Sequence, residues 1–181
     1  MALERGAADD GALPEHVRRN RARWNAEAPS YAAGGERAWA REEPTWGIWR
    51  VPESELGVLP KNLAGKAGIE LGCGTAYIAA WLARRGVKVV ALDGSPAQLA
   101  TARRLQRHHR LEFPLIEADA ERVPCRDEYF DLAISEYGAS LWADETLDAA
   151  VQNVNRSSSP SGLKITDLRV AVVKDAPFVC P

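Results

Sequence analysis

The run Ala67-Gly-Ile-Glu-Leu-Gly-Cys-Gly-Thr-Ala76 constrains this chain more than any other segment. Its first five residues have the length and apolar character of a buried strand. The two glycines that follow, Gly72 and Gly74, let the backbone turn tightly with no Cβ in the way. Tyr77, Ile78, Trp81 and Leu82 then recur at helical spacing as far as Gly86, so the segment predicts a strand, a glycine turn and a helix. Val87-Lys-Val-Val-Ala-Leu is the near-continuous apolar run of a strand covered on both faces, and it ends at Asp93-Gly94. Ser95-Pro96-Ala97-Gln98 offers an N-cap, a proline at the first helical position and a glutamine three residues after the cap. This capping-box pattern opens a helix to about Arg107.

Leu115–Asp119 and Phe130–Ser135 supply two more strands, so short connections link strand, helix, strand, helix, strand and strand. This order predicts an α/β domain with a parallel sheet and flanking helices. Upstream, Pro14–Ala28 reads as a helix carrying Arg18, Arg19, Arg21 and Arg23, with Trp24, Ala28 and Tyr31 on one face. From Gly34 to Pro60, Trp39, Trp46, Trp49 and several prolines suggest an aromatic-rich cap rather than a sheet. The three tryptophans either pack the core of that cap or line an apolar acceptor pocket.

With Lys+Arg 23 against Asp+Glu 25 the net charge is -2, so no global field draws the chain to nucleic acid or an anionic membrane. The arginine run reads as a solvated helix face with His16 exposed on it. His108 and His109 read as cations at a helix C-terminus. Cys73, Cys125 and Cys180 lack the spacing of a disulfide framework or a zinc site. No metal is expected, and a reducing compartment, the cytoplasm, is. No window approaches the roughly 18 apolar residues of a membrane span.

Ligands of open α/β sheets sit beyond the carboxyl ends of the strands. Four such positions carry the candidate residues. Glu70, Gly72, Cys73 and Gly74 form the first, where a helix N-terminus can hold an anion. Asp93 and Gly94 form the second, where a carboxylate can accept both hydroxyls of a ribose. Asp119 and Ala120 form the third, suited to the polar edge of a purine. Ser135, Glu136 and Tyr137 form the fourth, at the reacting end. A dinucleotide fingerprint needs a third glycine where Tyr77 stands, which disfavours NAD, and no Walker Gly-Lys-Ser/Thr occurs. S-adenosylmethionine, with a ribose, an adenine and a carboxylate, remains.

These residues resemble a known family. Ile69-Glu-Leu-Gly-Cys-Gly-Thr75, Val89-Val-Ala-Leu-Asp93-Gly-Ser, Glu117-Ala-Asp119-Ala and Phe130-Asp-Leu-Ala-Ile-Ser135 resemble, in order and spacing, the motifs of class I S-adenosylmethionine-dependent methyltransferases. The segment Trp24-Asn25-x-x-Ala28-x-x-Tyr31 is similar to the one with which small-molecule members cap the cofactor. The resemblance implies a Rossmann-like sheet with an N-terminal helical cap over residues 1–60, a cofactor-binding core over 61–142 and a divergent segment over 143–181. It places Glu70, Gly72 and Gly74 along the methionine portion, Asp93 on the ribose, Asp119 near the adenine, and Ser135 and Glu136 near the methyl group. The acceptor would be a small molecule. Glu136 is the candidate base, and Tyr31 or Tyr137 would orient the acceptor or face the sulfonium.

The pattern departs after Trp142. Arg156-Ser-Ser-Ser-Pro-Ser-Gly162 stands where the family has an apolar helix and a Pro-Gly-Gly turn, so incomplete C-terminal strands are expected. A chain ended or altered early, a divergent form, and a homodimer completing the sheet through its free edge all fit. A non-catalytic remnant of the fold is the alternative function, and a nucleotide-binding oxidoreductase a third.

Overall fold

The computed structural model describes residues 13–47, 49–125 and 129–136. It opens with α1, Glu15–Trp39, a helix 25 residues long. This is longer than the helix predicted over Pro14–Ala28. Pro29 removes one backbone hydrogen bond but sits on the exposed side, while Ala28, Gly35 and Trp39 continue one buried face past it. Where the sequence suggested no sheet, the chain forms a small antiparallel hairpin, β1 (Thr45–Trp46) and β2 (Val51–Pro52), followed by the single-turn α2 (Glu53–Leu56).

The core alternates β3 (Ala67–Leu71), α3 (Tyr77–Arg84), β4 (Lys88–Asp93), α4 (Pro96–His109), β5 (Leu115–Glu117) and β6 (Leu132–Ile134). The four strands pair in parallel in the order β5-β4-β3-β6. The chain therefore steps to one side of β3 and returns on the other, which places a topological switch point at β3 and β6. The expected Rossmann-like parallel sheet with flanking helices is what the chain forms.

Burial alternates along the strands as the pleat requires. Val89, Ala91, Leu132 and Ile134 join α3, α4 and Trp39 in the larger apolar cluster, while Ile69, Leu71, Leu92 and Ala133 form a second one with Ile116 and Phe130. Helix α1 lies against α4 and α3, so the cap is built onto the core. Among the described residues no helix is long and apolar enough to cross a membrane. The segment 143–181, with its serine-rich stretch, its expected edge and Cys180, lies outside the described residues, as do Tyr137 and Trp142.

Candidate functional site

The glycine turn after β3 is built as its composition dictates. Gly72 and Gly74 have φ of +65° and +53°, a region that favours glycine. Ala76, the residue before α3, shares this geometry at φ +57° although it carries a Cβ and is fully buried. Two carboxylates hold the turn. Glu70, sealed under it, accepts the Ala79 N–H at 2.8 Å and so satisfies an open donor in the first turn of α3. Asp93 spans the two loops, accepting Gly74 N–H and Ser95 N–H, each at 2.7 Å.

The third and fourth loops complete the edge. Asp119 Oδ1 accepts Glu121 N–H at 3.0 Å, and Ala118 N–H donates to Asp93 carbonyl at 3.2 Å, which ties the loop after β5 to the end of β4. Ala120 packs into the second apolar cluster of this loop. Ser135 and Glu136 follow β6, beside β3 through the Glu70–Ile134 register. Gly94 has an ordinary φ, and a Cβ there would stand 3.8 Å from Ala118 carbonyl, ordinary contact. Its place is thus not a conformational demand for glycine.

Three buried side-chain atoms on this edge have no hydrogen-bond partner among the described residues: Gln98 Oε1, Asp119 Oδ2 and Ser135 Oγ. Buried polar atoms are normally satisfied, and leaving one unpaired costs about 1–3 kcal/mol. Their placement along one edge fits a ligand that supplies donors, as a ribose, a purine amine or an ammonium would. Gln98 was legible only as half of a capping box. Ser95 Oγ does accept Gln98 N–H at 3.2 Å, but the glutamine side chain returns no bond and its oxygen lies near Gly74 instead.

Burial dominates the electrostatics of this edge. Burial pushes the Glu70 carboxyl well above the usual carboxylate range, with Glu136 and Asp93 adding repulsion. Burial also raises Asp93 against its two backbone bonds, and raises Glu136 against its bonds to Tyr77 and Gly47. Burial is the largest cause for each of the three, so an added hydrogen-bond donor or an opposite charge would favour their ionised forms.

The geometry bears on several expectations. Cys73 turns its side chain into the apolar core at 3% exposure, so only its backbone belongs to the turn. Tyr77 stands at the place of a third glycine, half-buried in the first turn of α3. Its hydroxyl donates to Glu136, and the close packing falls to the fully buried Ala79 and Ala80. Glu136, the candidate base, has both oxygens engaged: Oε1 accepts Gly47 N–H at 2.7 Å and Oε2 accepts Tyr77 O–H. Tyr31 is half exposed with its ring 5.6 Å from that of Trp24, and its hydroxyl makes no hydrogen bond among the described residues.

His16 is not free on a solvated face but half-buried, 3.1 Å from Glu121, while Arg21 pairs with Glu117. His109 rests against the Trp39 ring at 5.3 Å, and burial with nearby Arg84 lowers its pKa, so its neutral form is favoured over the dipole-facing cation. Trp39 and Trp46 are core residues, whereas Trp49 is 55% exposed. Among the described residues no group of three or more His, Cys, Asp or Glu could hold a metal ion.

Little along the chain signals how tightly α1 grips these loops. Asn25 Oδ1 accepts both Ser95 O–H at 2.7 Å and Ala97 N–H at 3.2 Å. Trp39 Nε1 donates to Thr75 carbonyl at 2.8 Å, and a Cβ on Gly35 would lie 2.5 Å from Thr75 Oγ1. The Trp24-Asn25 segment was a visible signal, but its partners were not.

The family model of the methyltransferase domain matches residues 69–162, more than half of the chain. The chain is 29% identical over 109 residues to the methyltransferase YodH of Bacillus subtilis, covering 60% of this chain and 45% of that protein. It is 35% identical over 116 residues to the demethylmenaquinone methyltransferase of Thermus thermophilus, covering 63% and 50%. With the malonyl-acyl-carrier-protein O-methyltransferase of Serratia marcescens it shares 32% over 99 residues, covering 55% and 36%. The chain thus spans half or less of the length of these relatives. In fold it is similar to a Methanococcus maripaludis protein assigned as an S-adenosyl-L-methionine-dependent methyltransferase. The TM-score is 0.53 at 16% identity, over 84% of this chain and 63% of that one.

Proposed function

This chain belongs to the methyltransferase domain family, and from that premise we propose that it binds S-adenosylmethionine and transfers its methyl group to a small-molecule acceptor. The observation that carries the reading is the row of buried atoms without a partner among the described residues, Gln98 Oε1, Asp119 Oδ2 and Ser135 Oγ, flanking a glycine turn and the strand-end acid Asp93. When bound, the cofactor supplies an electrophilic methyl carbon on a cationic sulfonium. Everything else falls to the chain's own residues.

In this reading the N-terminus of α3 holds the methionine carboxylate, and the glycine turn, whose Cys73 and Gly74 amides bond Leu92 carbonyl and Asp93, lets the chain pass close beside it. Asp93 accepts the ribose hydroxyls with the lone pairs left over from Gly74 and Ser95. Asp119 Oδ2 takes a donor from the purine edge, and Ser135 faces the methyl end. Catalysis is then mostly positioning: holding nucleophile and methyl carbon in line about 3–3.5 Å apart removes much of the barrier. The acceptors named for the relatives, demethylmenaquinone in one and malonyl-acyl-carrier protein in another, are theirs; for this chain the acceptor is a small molecule with a nucleophilic atom.

Isothermal calorimetry on the whole chain, with S-adenosylmethionine and with NAD, tests the reading. Heat is expected from the first and not from the second. Asp93→Ala should weaken binding at least tenfold, about 1.4 kcal/mol. No heat from S-adenosylmethionine at millimolar concentration would overturn the proposal, and unchanged affinity in Asp93→Ala would move the ribose elsewhere.

A further inference from the structure

We propose that Glu136 is a positioning residue, a clasp that fixes the β1–β2 hairpin to the first turn of α3 through Gly47 and Tyr77. Calling the clasped wall the acceptor side rests on the function proposed above; the clasp itself rests on geometry alone.

The contacts form a closed circuit. Glu136 Oε1 accepts Gly47 N–H at 2.7 Å, and Oε2 accepts Tyr77 O–H. The Tyr77 ring meets Trp81 edge-on at 5.1 Å, and Trp81 meets Trp46 edge-on at 6.4 Å. Trp46 is the neighbour of Gly47, so the aromatic row returns to the residue whose amide the carboxylate holds. Glu136 closes a ring that joins the hairpin, α3 and the end of β6.

The hairpin needs such a tie. Its strands are two residues each, and an isolated two-stranded hairpin is marginal in water. The Trp46 indole bonds Glu53, and Glu53 N–H bonds Pro44 carbonyl, but both contacts lie within the segment itself. Trp46 packing and the Gly47–Glu136 bond connect it to the sheet. A carboxylate suits this junction because both partners, an amide N–H and a phenol O–H, donate. Each oxygen holds one donor from the protein, and the two bonds together fix the orientation of the carboxylate.

The test is amide hydrogen exchange on the full chain, read over residues 44–53, in Glu136→Ala, Glu136→Gln and Tyr77→Phe. Glu136→Ala should speed exchange there at least tenfold, and Tyr77→Phe by a smaller factor. Glu136→Gln should stay within about threefold of the wild type, because its carbonyl still accepts Gly47 N–H while its amide donates to the Tyr77 oxygen. Should Glu136→Ala fail to fold, the contrast between Glu136→Gln and Tyr77→Phe decides. Unchanged exchange in both Glu136→Ala and Tyr77→Phe, or Glu136→Gln as fast as Glu136→Ala, would overturn the clasp.

Calorimetry with S-adenosylmethionine on the same variants separates the two proposals. Affinity in Glu136→Ala should remain within threefold of the wild type; a tenfold loss with slow hairpin exchange would make Glu136 a cofactor ligand and sink the inference. If the wild type gives no heat while exchange responds as stated, the cofactor reading fails and the clasp stands.

Discussion

Trp39, the last residue of the opening helix, donates its indole N–H to the carbonyl of Thr75 at 2.8 Å, inside the glycine turn. Beside it, Gly35 lets α1 approach so closely that any Cβ would stand 2.5 Å from Thr75 Oγ1. The cap therefore grips the turn assigned to the methionine portion of the cofactor. Gly35→Ala should destabilise the chain by about 1–3 kcal/mol through overpacking. It should also weaken S-adenosylmethionine binding, although position 35 is placed nowhere in the ligand site. Urea unfolding and calorimetry on the same variant check both; unaltered stability would mean that α1 and the turn separate readily.

Ala76 holds φ +57° at a position where a Cβ is unfavourable. A left-handed conformation costs an L-residue roughly 1–2 kcal/mol, and glycine's greater unfolded-state entropy offsets part of the relief. Ala76→Gly should raise stability by about 0.5–1 kcal/mol, read as a higher urea midpoint with an unchanged slope. A lower midpoint would show that the methyl group's packing outweighs the strain.

Glu70 has its carboxyl held well above the usual range, chiefly by burial. The folded state then keeps the proton to higher pH than the unfolded state does. Stability is greatest below the unfolded value, falls as pH rises from there toward the raised folded value, and levels off above it. Asp93 and Glu136 act in the same direction, and His109, whose pKa is lowered, in the opposite one. Glu70→Gln keeps an acceptor for Ala79 N–H and removes the charge. Its gain over the wild type should be larger in mildly alkaline than in mildly acidic buffer, measured by thermal unfolding across that range. A constant difference would mean that Glu70 titrates normally.

Gln98 buries an oxygen with no partner among the described residues. Gln98→Met, of similar volume, removes that desolvated atom, so the ligand-free chain should unfold at higher temperature. The same change should weaken S-adenosylmethionine several-fold, because the oxygen is assigned to a donor on the cofactor. Unchanged affinity would assign the oxygen to solvent instead.

Much of the site could be read along the chain. Gly72, Gly74 and Asp93 lie where a turn and a strand end had to be, and Ser95 caps α4 as its sequence pattern announced. What escaped were the partners. Asn25 meets Ser95 across 70 residues, Gly47 meets Glu136 across 89 and His16 meets Glu121 across 105. No local pattern marks such pairs, because each depends on where α1 or the hairpin comes to rest. The Ala76 strain was equally hidden, since composition names the residue and not its φ.

The sequence by itself determined the succession of strands and helices from β3 to β6, the tight turn after β3 and the cap of α4. These are choices each residue makes with neighbours a few positions away, through steric limits on φ and the spacing of apolar side chains. Tertiary structure alone decided that Cys73 faces the core, that Glu136 is engaged by Gly47 and Tyr77, that His109 lies on Trp39, and that three acids share one buried edge. A side chain's charge and partners follow from how much water is removed around it and which distant groups replace that water, and only packing of the whole chain sets both.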